Sequence, residues 1–279
     1  MSTLVVRLAG PLQAWGAEPR LRTVTTHRTP TLSGLLGLSR AALGHGRHAN
    51  PADVAWLRDL TFAVRVDQPG TSRTDFHTVN PLPDTYARFG LSTIERGIVP
   101  AGTTLQAKGQ APRWAIGGKV EPLVTKRSYL HDAAFTWLTT GPEDLINRLA
   151  TAFTNPVWTL SLGKKNCPPA SPFLLGTSPG NLTDTARAVP RLVPTRQSQN
   201  TRPVDLVWLN GTPDSTLPTT SPNRVIRDLP LGSHPLDGHT ANTHAVTASP
   251  NHPTVTTLND LLTWATAHLT HPAWTPETP

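Results

Sequence analysis

The residues best able to do chemistry in this chain are cations and their immediate neighbours. Lys164, Lys165 and Asn166 stand together between Gly163 and Pro168-Pro169. They form a bounded basic loop whose ammonium and amide groups suit the phosphates of a polynucleotide backbone. Lys126 and Arg127 are adjacent, so on a strand they point to opposite faces and at most one of them meets a given ligand. Gln13, Trp15 and Gly16 combine an amide for edge contacts, an indole for stacking and a position where a main chain can come close. Arg20, Arg22 and Arg28 add charge nearby in sequence. Thr31, Ser33 and Gly34 open a helical stretch whose first amides suit a phosphate, although capping explains Thr31 equally well.

Groups that would signal other chemistries are isolated. Cys167 has no neighbouring base to activate it, and as the single cysteine it forms no internal disulfide and no cysteine-based zinc site. His234, His239 and His244 recur every five residues, which does not gather them on one helical face. Glu143 and Asp144 are explained by the positive end of a helix rather than by a two-metal nuclease, and no phosphate-cradling Walker loop is present. The expectation is no catalytic residue, no metal and no cofactor.

The elements that must position these groups are short. Leu4–Leu8 reads as a buried strand, and residues 32–43 carry apolar residues at helical spacing, despite Gly34 and Gly37, which suggest close approach of a sheet or an RNA backbone. Residues 51–60 read as a short helix and 61–67 as an alternating strand ended by Pro69-Gly70. Residues 122–130 and 133–138 read as strands. A helix over 143–154 begins after Thr140 or Gly141 with Pro142 in its first turn, and Val157–Leu162 reads as a final strand. With 80–120 set aside as a projecting insertion, strand 4–8, helix 32–43, strand 61–67, strand 133–138, helix 143–154 and strand 157–162 give the order βαββαβ, an α+β, ferredoxin-like (RRM-like) core whose exposed sheet face is an RNA platform in other proteins. The expected organisation is a core over 1–170 with the insertion at about 80–120, a C-terminal β-rich lobe over 171–230, and a Pro/Thr/His-rich extension over 231–279, partly disordered, with a possible terminal helix through Leu258, Leu261, Leu262, Ala265 and Leu269.

The chain has 279 residues and a formal net charge of +7, with 29 prolines. All 20 arginines and 5 lysines fall at or before position 230, so the body is basic and the last 49 residues are mildly acidic. Arginine in excess suits phosphate-rich partners because guanidinium forks onto phosphate and stacks on bases, although compositional bias toward Arg, Ala, Gly and Pro gives the same count. No run of about 18 apolar residues and no basic-then-apolar leader is present, so a cytoplasmic protein without a membrane span is expected.

Four segments in order resemble a known family. They are Leu8-Ala-Gly-Pro-Leu-Gln-Ala-Trp-Gly16, then Arg28-Thr-Pro-Thr-Leu-Ser-Gly-Leu-Leu-Gly37, then the pair Asp75–Val79 and Val124–Phe135, and then Leu160–Ala170, with Arg227-Asp228-Leu229-Pro230 as a weaker fifth. Together they resemble the CasD subunits of type I-E CRISPR Cascade complexes, members of the RAMP superfamily. The resemblance implies a non-catalytic subunit that grips the 5′ handle of the CRISPR RNA and caps the backbone filament. It also implies that a β-hairpin thumb at 80–120 carries Arg88, Arg96, Lys108 and Arg113 over the guide, touching a CasC backbone subunit. A CasA large subunit lies nearby, and target DNA is an indirect partner. The RNA contacts expected on this basis are Gln13, Trp15, Gly16, Arg20, Arg22, Arg28, Ser33, His77, Arg113, Lys126, Arg127, Lys164, Lys165 and Asn166.

The resemblance also raises the alternative of metal-independent endoribonuclease processing of precursor CRISPR RNA, because some relatives use Tyr, His and Lys in this way. Lys126, Tyr129 and His131 have the right types, but on one strand Tyr129 and His131 share a face while Lys126 takes the other.

Overall fold

The computed structural model describes residues 1–20, 23–46, 49–79, 91–93, 98–100, 115–116, 119–120, 123–192, 204–211, 224–226, 239–246 and 253–273. In chain order its main elements are β1 (Ser2–Ala9), β2 (Leu12–Gln13), β3 (Trp15–Arg20), β4 (Thr23–His27), α1 (Leu32–Ala42), a 3-10 helix (Pro51–Asp59), β5 (Thr61–Gln68), β6 (Thr71–Val79), β7 (Leu123–His131), β8 (Ala134–Gly141), α2 (Glu143–Thr154), β9 (Leu174–Ser178), α3 (Leu182–Ala188), β10 (Arg191–Leu192), β11 (Val204–Trp208), β12 (Arg224–Ile226), β13 (His239–Val246), β14 (Thr254–Val255) and α4 (Leu258–His268). The fold is mixed α+β. Two compact units are present: residues 1–18, 25–73 and 129–279 form the first, and 19–24 with 74–128 form the second.

The first unit is built on a seven-stranded sheet in the order β9-β1-β8-β5-β11-β13-β12, with every neighbouring pair antiparallel. Alternation in β1 sends Leu4, Val6 and Leu8 to one face, where they join Leu35 and Leu38 of α1 and Ile146, Leu149 and Phe153 of α2 in the main core. Trp137 of β8 anchors this layer, stacked on Phe62 and meeting Phe153 edge-on at 5.4 Å. Thr31 caps α1, accepting from the Gly34 amide at 3.2 Å. α2 starts after Pro142 with no side-chain cap, leaving Glu143 and Asp144 to meet its positive end.

The expected last strand at 157–162 is not a strand. The amides of Val157 and Trp158 donate instead to the carbonyls of Ala42 and Ala41 in the last turn of α1. The strand beside β1 is β9, twelve residues further on. Nor do residues 171–230 stand apart as a lobe, since β9 pairs with β1 and β11 with β5 inside the main sheet. In the last segment, 231–238, 247–252 and 274–279 lie outside the described residues, while β13 joins the sheet and the anticipated helix is α4.

These additions close the second sheet face. Ala63, Leu138, Leu206 and Trp208 are covered by Leu182 and Ala186 of α3. Val5, Leu175 and Val189 are covered by Leu261, Ala265 and Leu269. The sheet is therefore helix-covered on both sides in this region, and the expectation of an exposed sheet face as the RNA platform does not hold there. Replacing Leu261 with alanine is expected to lower stability by about 2–3 kcal/mol through lost burial and an uncollapsed void, read as a lower urea midpoint at unchanged slope.

Under the same cover lies a buried charge network. Arg65, fully buried on β5, donates to Asp67 at 2.6 Å, to the Ala186, Val189 and Pro190 carbonyls and to Thr136. It thereby satisfies carbonyls at the C-terminal end of α3. Asp67 also accepts from Thr136 at 2.5 Å, and its backbone carbonyl accepts from Arg191 at 3.0 Å. Burial pushes the Arg7 and Arg191 guanidinium pKa values down, while the Asp67 charge pulls both back up.

In the second unit, Lys126 and Arg127 of β7 register in parallel with Thr23 and Val24 of β4, and β6 pairs with β7. Short two-strand pairs join 91–93 to 98–100 and 115–116 to 119–120. The remaining residues of the expected 80–120 insertion lie outside the described residues.

Candidate nucleic-acid interface

Within the first unit the expected contacts divide into a buried pair and an exposed loop. Trp15 and Gln13 are both fully buried. The Trp15 indole donates to the Gln13 amide oxygen at 3.0 Å, and the Gln13 amide nitrogen donates to the Leu8 and Ala133 carbonyls at 3.1 and 2.8 Å. Gln13 therefore spends its hydrogen bonds tying β1 to the turn before β8. Trp15 presents its ring to Gly34, where an added Cβ would lie 2.9 Å from the indole. The stacking and amide roles expected for this pair are corrected to core roles, because neither side chain reaches solvent. The same contact accounts for Gly34, which admits Trp15 rather than an RNA backbone. Gly16 is half-buried and Arg28 exposed.

The loop after Leu162 is built by an unusual backbone. Gly163 sits at φ +90°, and an added Cβ there would fall 1.8 Å from the Ala14 carbonyl oxygen, so only glycine passes. Leu162 accepts from the Ala14 amide at 3.0 Å and donates to the Cys167 carbonyl at 2.7 Å, and the Cys167 amide returns to Lys164 at 2.9 Å. The resulting tight turn presents Lys165 and Asn166 to solvent. Lys164 lies over the Tyr129 ring at 4.5 Å, and the Asn166 amide donates to the Tyr129 hydroxyl at 3.1 Å. Tyr129 is itself buried, so its hydroxyl serves as an internal acceptor and its ring as a seat for Lys164. Burial raises the Cys167 thiol pKa, with a hydrogen bond and the charge of Lys164 opposing, so the thiol stands inside the turn as packing.

Beside this loop a cleft of about 790 Å³ separates the exposed face of α1 from the 157–165 segment. Ser33 and Gly37 line one wall, and Trp158, Ser161 and Lys165 line the other. Trp158 remains 46% exposed. Sequence reading missed it by placing 157–162 in a sheet, and it missed Gly37 as a wall of open space, where an added Cβ would meet nothing within 4 Å.

The second unit holds the other expected contacts that are described. Lys126 is exposed, with its ammonium 5.5 Å from the centre of the Phe76 ring, and Phe76 is exposed in turn. His77 is half-buried, its Nε2 3.1 Å from Asp75 Oδ2, and Arg127 is half-buried. Of Arg20 only the backbone is described. Arg22 and Arg113 lie outside the described residues, as do Arg88, Arg96, Lys108 and His234, and the side chains of His239 and His244 are likewise undescribed. Among the described residues no three His, Cys, Asp or Glu side chains are grouped as metal ligands would be. No described helix is long and apolar enough to cross a membrane.

Residues 3–236 match the family model described as CRISPR-associated protein (Cas_Cas5). The chain is 36% identical over 187 residues to the CRISPR system Cascade subunit CasD of Escherichia coli strain K12, spanning 63% of this chain and 71% of that one. A chain from a solved CRISPR RNA-guided surveillance complex superimposes with a TM-score of 0.68 at 28% identity, covering 95% of this chain and 99% of that one. A structure titled crystal structure of Cas protein, at 24% identity and a TM-score of 0.54 over 89% and 96% of the two chains, shares the fold. With more than four-fifths of its length inside the family model, the chain belongs to the CRISPR-associated Cas5 family.

Proposed function

We propose that this chain is a non-catalytic subunit of a Cascade-type surveillance complex that holds the 5′ handle of the CRISPR RNA and so fixes where the guide begins. The observation that carries the reading is the turn at 163–167, which presents Lys165 and Asn166 to solvent from a base where Lys164 is seated on the Tyr129 ring. A single-stranded handle needs such donors at its phosphates. Similarity to the Cascade subunit CasD supports the same role. In this reading residues 2–9, 32–42, 61–68, 134–141, 143–154 and 174–178 form a ferredoxin-like core. Their strand order of fourth, first, third and second fits that arrangement. The 80–120 insertion is the thumb, reaching a CasC-type backbone subunit, and a CasA-type large subunit lies nearby in a cytoplasmic assembly. The contacts proposed are Lys164, Lys165, Asn166, Arg28, Ser33 and Gly16 from the first unit, and Lys126, Arg127, His77, Arg20, Arg22 and Arg113 elsewhere.

The nuclease alternative is not favoured, since Tyr129 is buried with its hydroxyl engaged by Asn166. Incubating the full chain with labelled repeat RNA in chelator is expected to leave the RNA intact. A discrete product that disappears in His131→Ala would refute the non-catalytic assignment.

The central test compares RNA carrying the host repeat's 5′ handle with a scrambled sequence at physiological salt. Preference for the handle is expected, and equal affinity would overturn the reading. The double variant Lys164→Ala/Lys165→Ala is expected to bind about tenfold or more weakly. Its log–log salt slope should fall by about 0.7, because Lys165 is the exposed cation of the turn and each phosphate contact on single strands contributes about 0.7.

A further inference from the structure

The cleft beside α1 has features that a phosphate-gripping loop does not require. Trp158 is nearly half exposed, yet it is held in place, with its amide bonded to Ala41 at 3.2 Å and its ring close enough to Gly46 that an added Cβ there would lie 3.1 Å away. An indole fixed at its base and open on a face is a stacking surface. Opposite, Gly37 leaves the helix wall bare, with nothing within 4 Å of an added Cβ. A glycine in a helix interior costs about 1 kcal/mol relative to alanine, and no described residue packs into the space it leaves. Its described lining sets the hydroxyl residues Ser33, Thr159 and Ser161 beside the apolar Leu38, Ala41 and Val157, ends at Lys165, and includes no carboxylate among the described residues. Hydroxyls with one cation and an aromatic face fit the edge, phosphate and plane of an unstacked nucleotide better than they fit an apolar protein segment.

We propose that this cleft is a nucleotide pocket, in which one base of the bound single-stranded RNA leaves the stack and lies on Trp158, with its phosphate at Lys165. This rests on the RNA-binding reading above and adds to it a position where an individual base is held. Gly37 is the residue that keeps the pocket deep enough to receive the base. A side chain larger than alanine at that position fills it.

The test uses the full chain and synthetic handle RNA in which 2-aminopurine replaces each base in turn. Quenching confined to one or two adjacent positions is expected, lost in Trp158→Ala and retained in Trp158→Phe, which keeps a stacking plane. Gly37→Leu, which blocks the opposite wall while favouring the helix, is expected to weaken binding about tenfold, within the range of a single base–aromatic stack. Melting curves confirm that each variant folds. If the wild-type chain binds handle RNA selectively but no position is quenched, the pocket is overturned and the RNA-binding reading stands. If the wild-type chain shows no preference for the handle, the RNA-binding reading itself falls. If Trp158→Ala leaves RNA affinity and quenching unchanged but loses a co-purifying protein subunit, the cleft is a protein-docking site and the proposal is refuted.

Discussion

Asp67→Ala is expected to destabilise the chain by about 3–5 kcal/mol. The reason is the state it leaves behind. Arg65 is fully buried and Asp67 is the carboxylate its Nε donates to, at 2.6 Å, with a side chain only 9% exposed. Arg7 and Arg191 also feel the Asp67 charge, so removing it leaves three guanidinium groups under a helix-covered sheet without their shared counter-charge. Arginine cannot shed its proton to escape this. A double replacement, Arg65→Met/Asp67→Leu, separates charge from scaffolding. If the pair were only an ion pair, apolar replacement would be close to neutral. Arg65 also feeds the Ala186, Val189 and Pro190 carbonyls, so the double variant is expected to remain destabilised by about 1–3 kcal/mol for carbonyls left without donors. Chemical denaturation of the two variants decides the matter, and a double variant as stable as wild type would reduce Arg65 to a charge partner.

The second large effect is expected at Gly163→Ala, about 4 kcal/mol. Its positive φ adds about 1–2 kcal/mol of strain for any residue with a Cβ. Relieving the 1.8 Å approach to the Ala14 oxygen would further break the bond from the Ala14 amide to Leu162. In the proposed RNA-binding role the damage goes further, because this residue aims the Lys164–Asn166 turn. Handle affinity should drop together with stability. Gly37→Ala is the matching control: it meets open space, and it should raise the denaturation midpoint, by about 1 kcal/mol at most.

Much of the fold was legible because the main-core layer obeys simple periods. β5, α1 and α2 appear where alternation and helical spacing put them. The miss at 157–162 is instructive. Leu160 and Leu162 are buried with Ser161 between them turned outward, which is a true period of two. That period reports an extended backbone, however, and says nothing of what its amides bond to. β9, the outer partner of β1, carries Gly176, a poor strand former, at a point where the Thr270 carbonyl would lie 2.7 Å from any Cβ. The glycine that weakened the local signal is there to let the C-terminal segment approach.

The site was half legible for a related reason. Residue type announced the lysines, whose charge must seek solvent or a partner. It misassigned Trp15 and Gln13, which satisfy each other's polar groups and so can be buried without penalty. It also overlooked Trp158, whose exposure depends on where a distant helix ends. Arg65 was equally hidden: a cation in an alternating strand reads as solvent-facing until α3 supplies the carbonyls that surround it.

The order of strands in the main sheet bears on how the protein is made. β5 acquires its outer neighbour β11 only after some 140 further residues have been synthesised, and β11 in turn waits for β13. While the nascent chain emerges, Phe62, Ala63 and Val64 lie along a strand edge with no pairing partner. Such an edge invites association with other chains, and closing it late is slow because the contact spans so much sequence. Biogenesis of this subunit therefore favours attended folding, and a polypeptide terminated before residue 204 would be an aggregating species rather than a smaller working one.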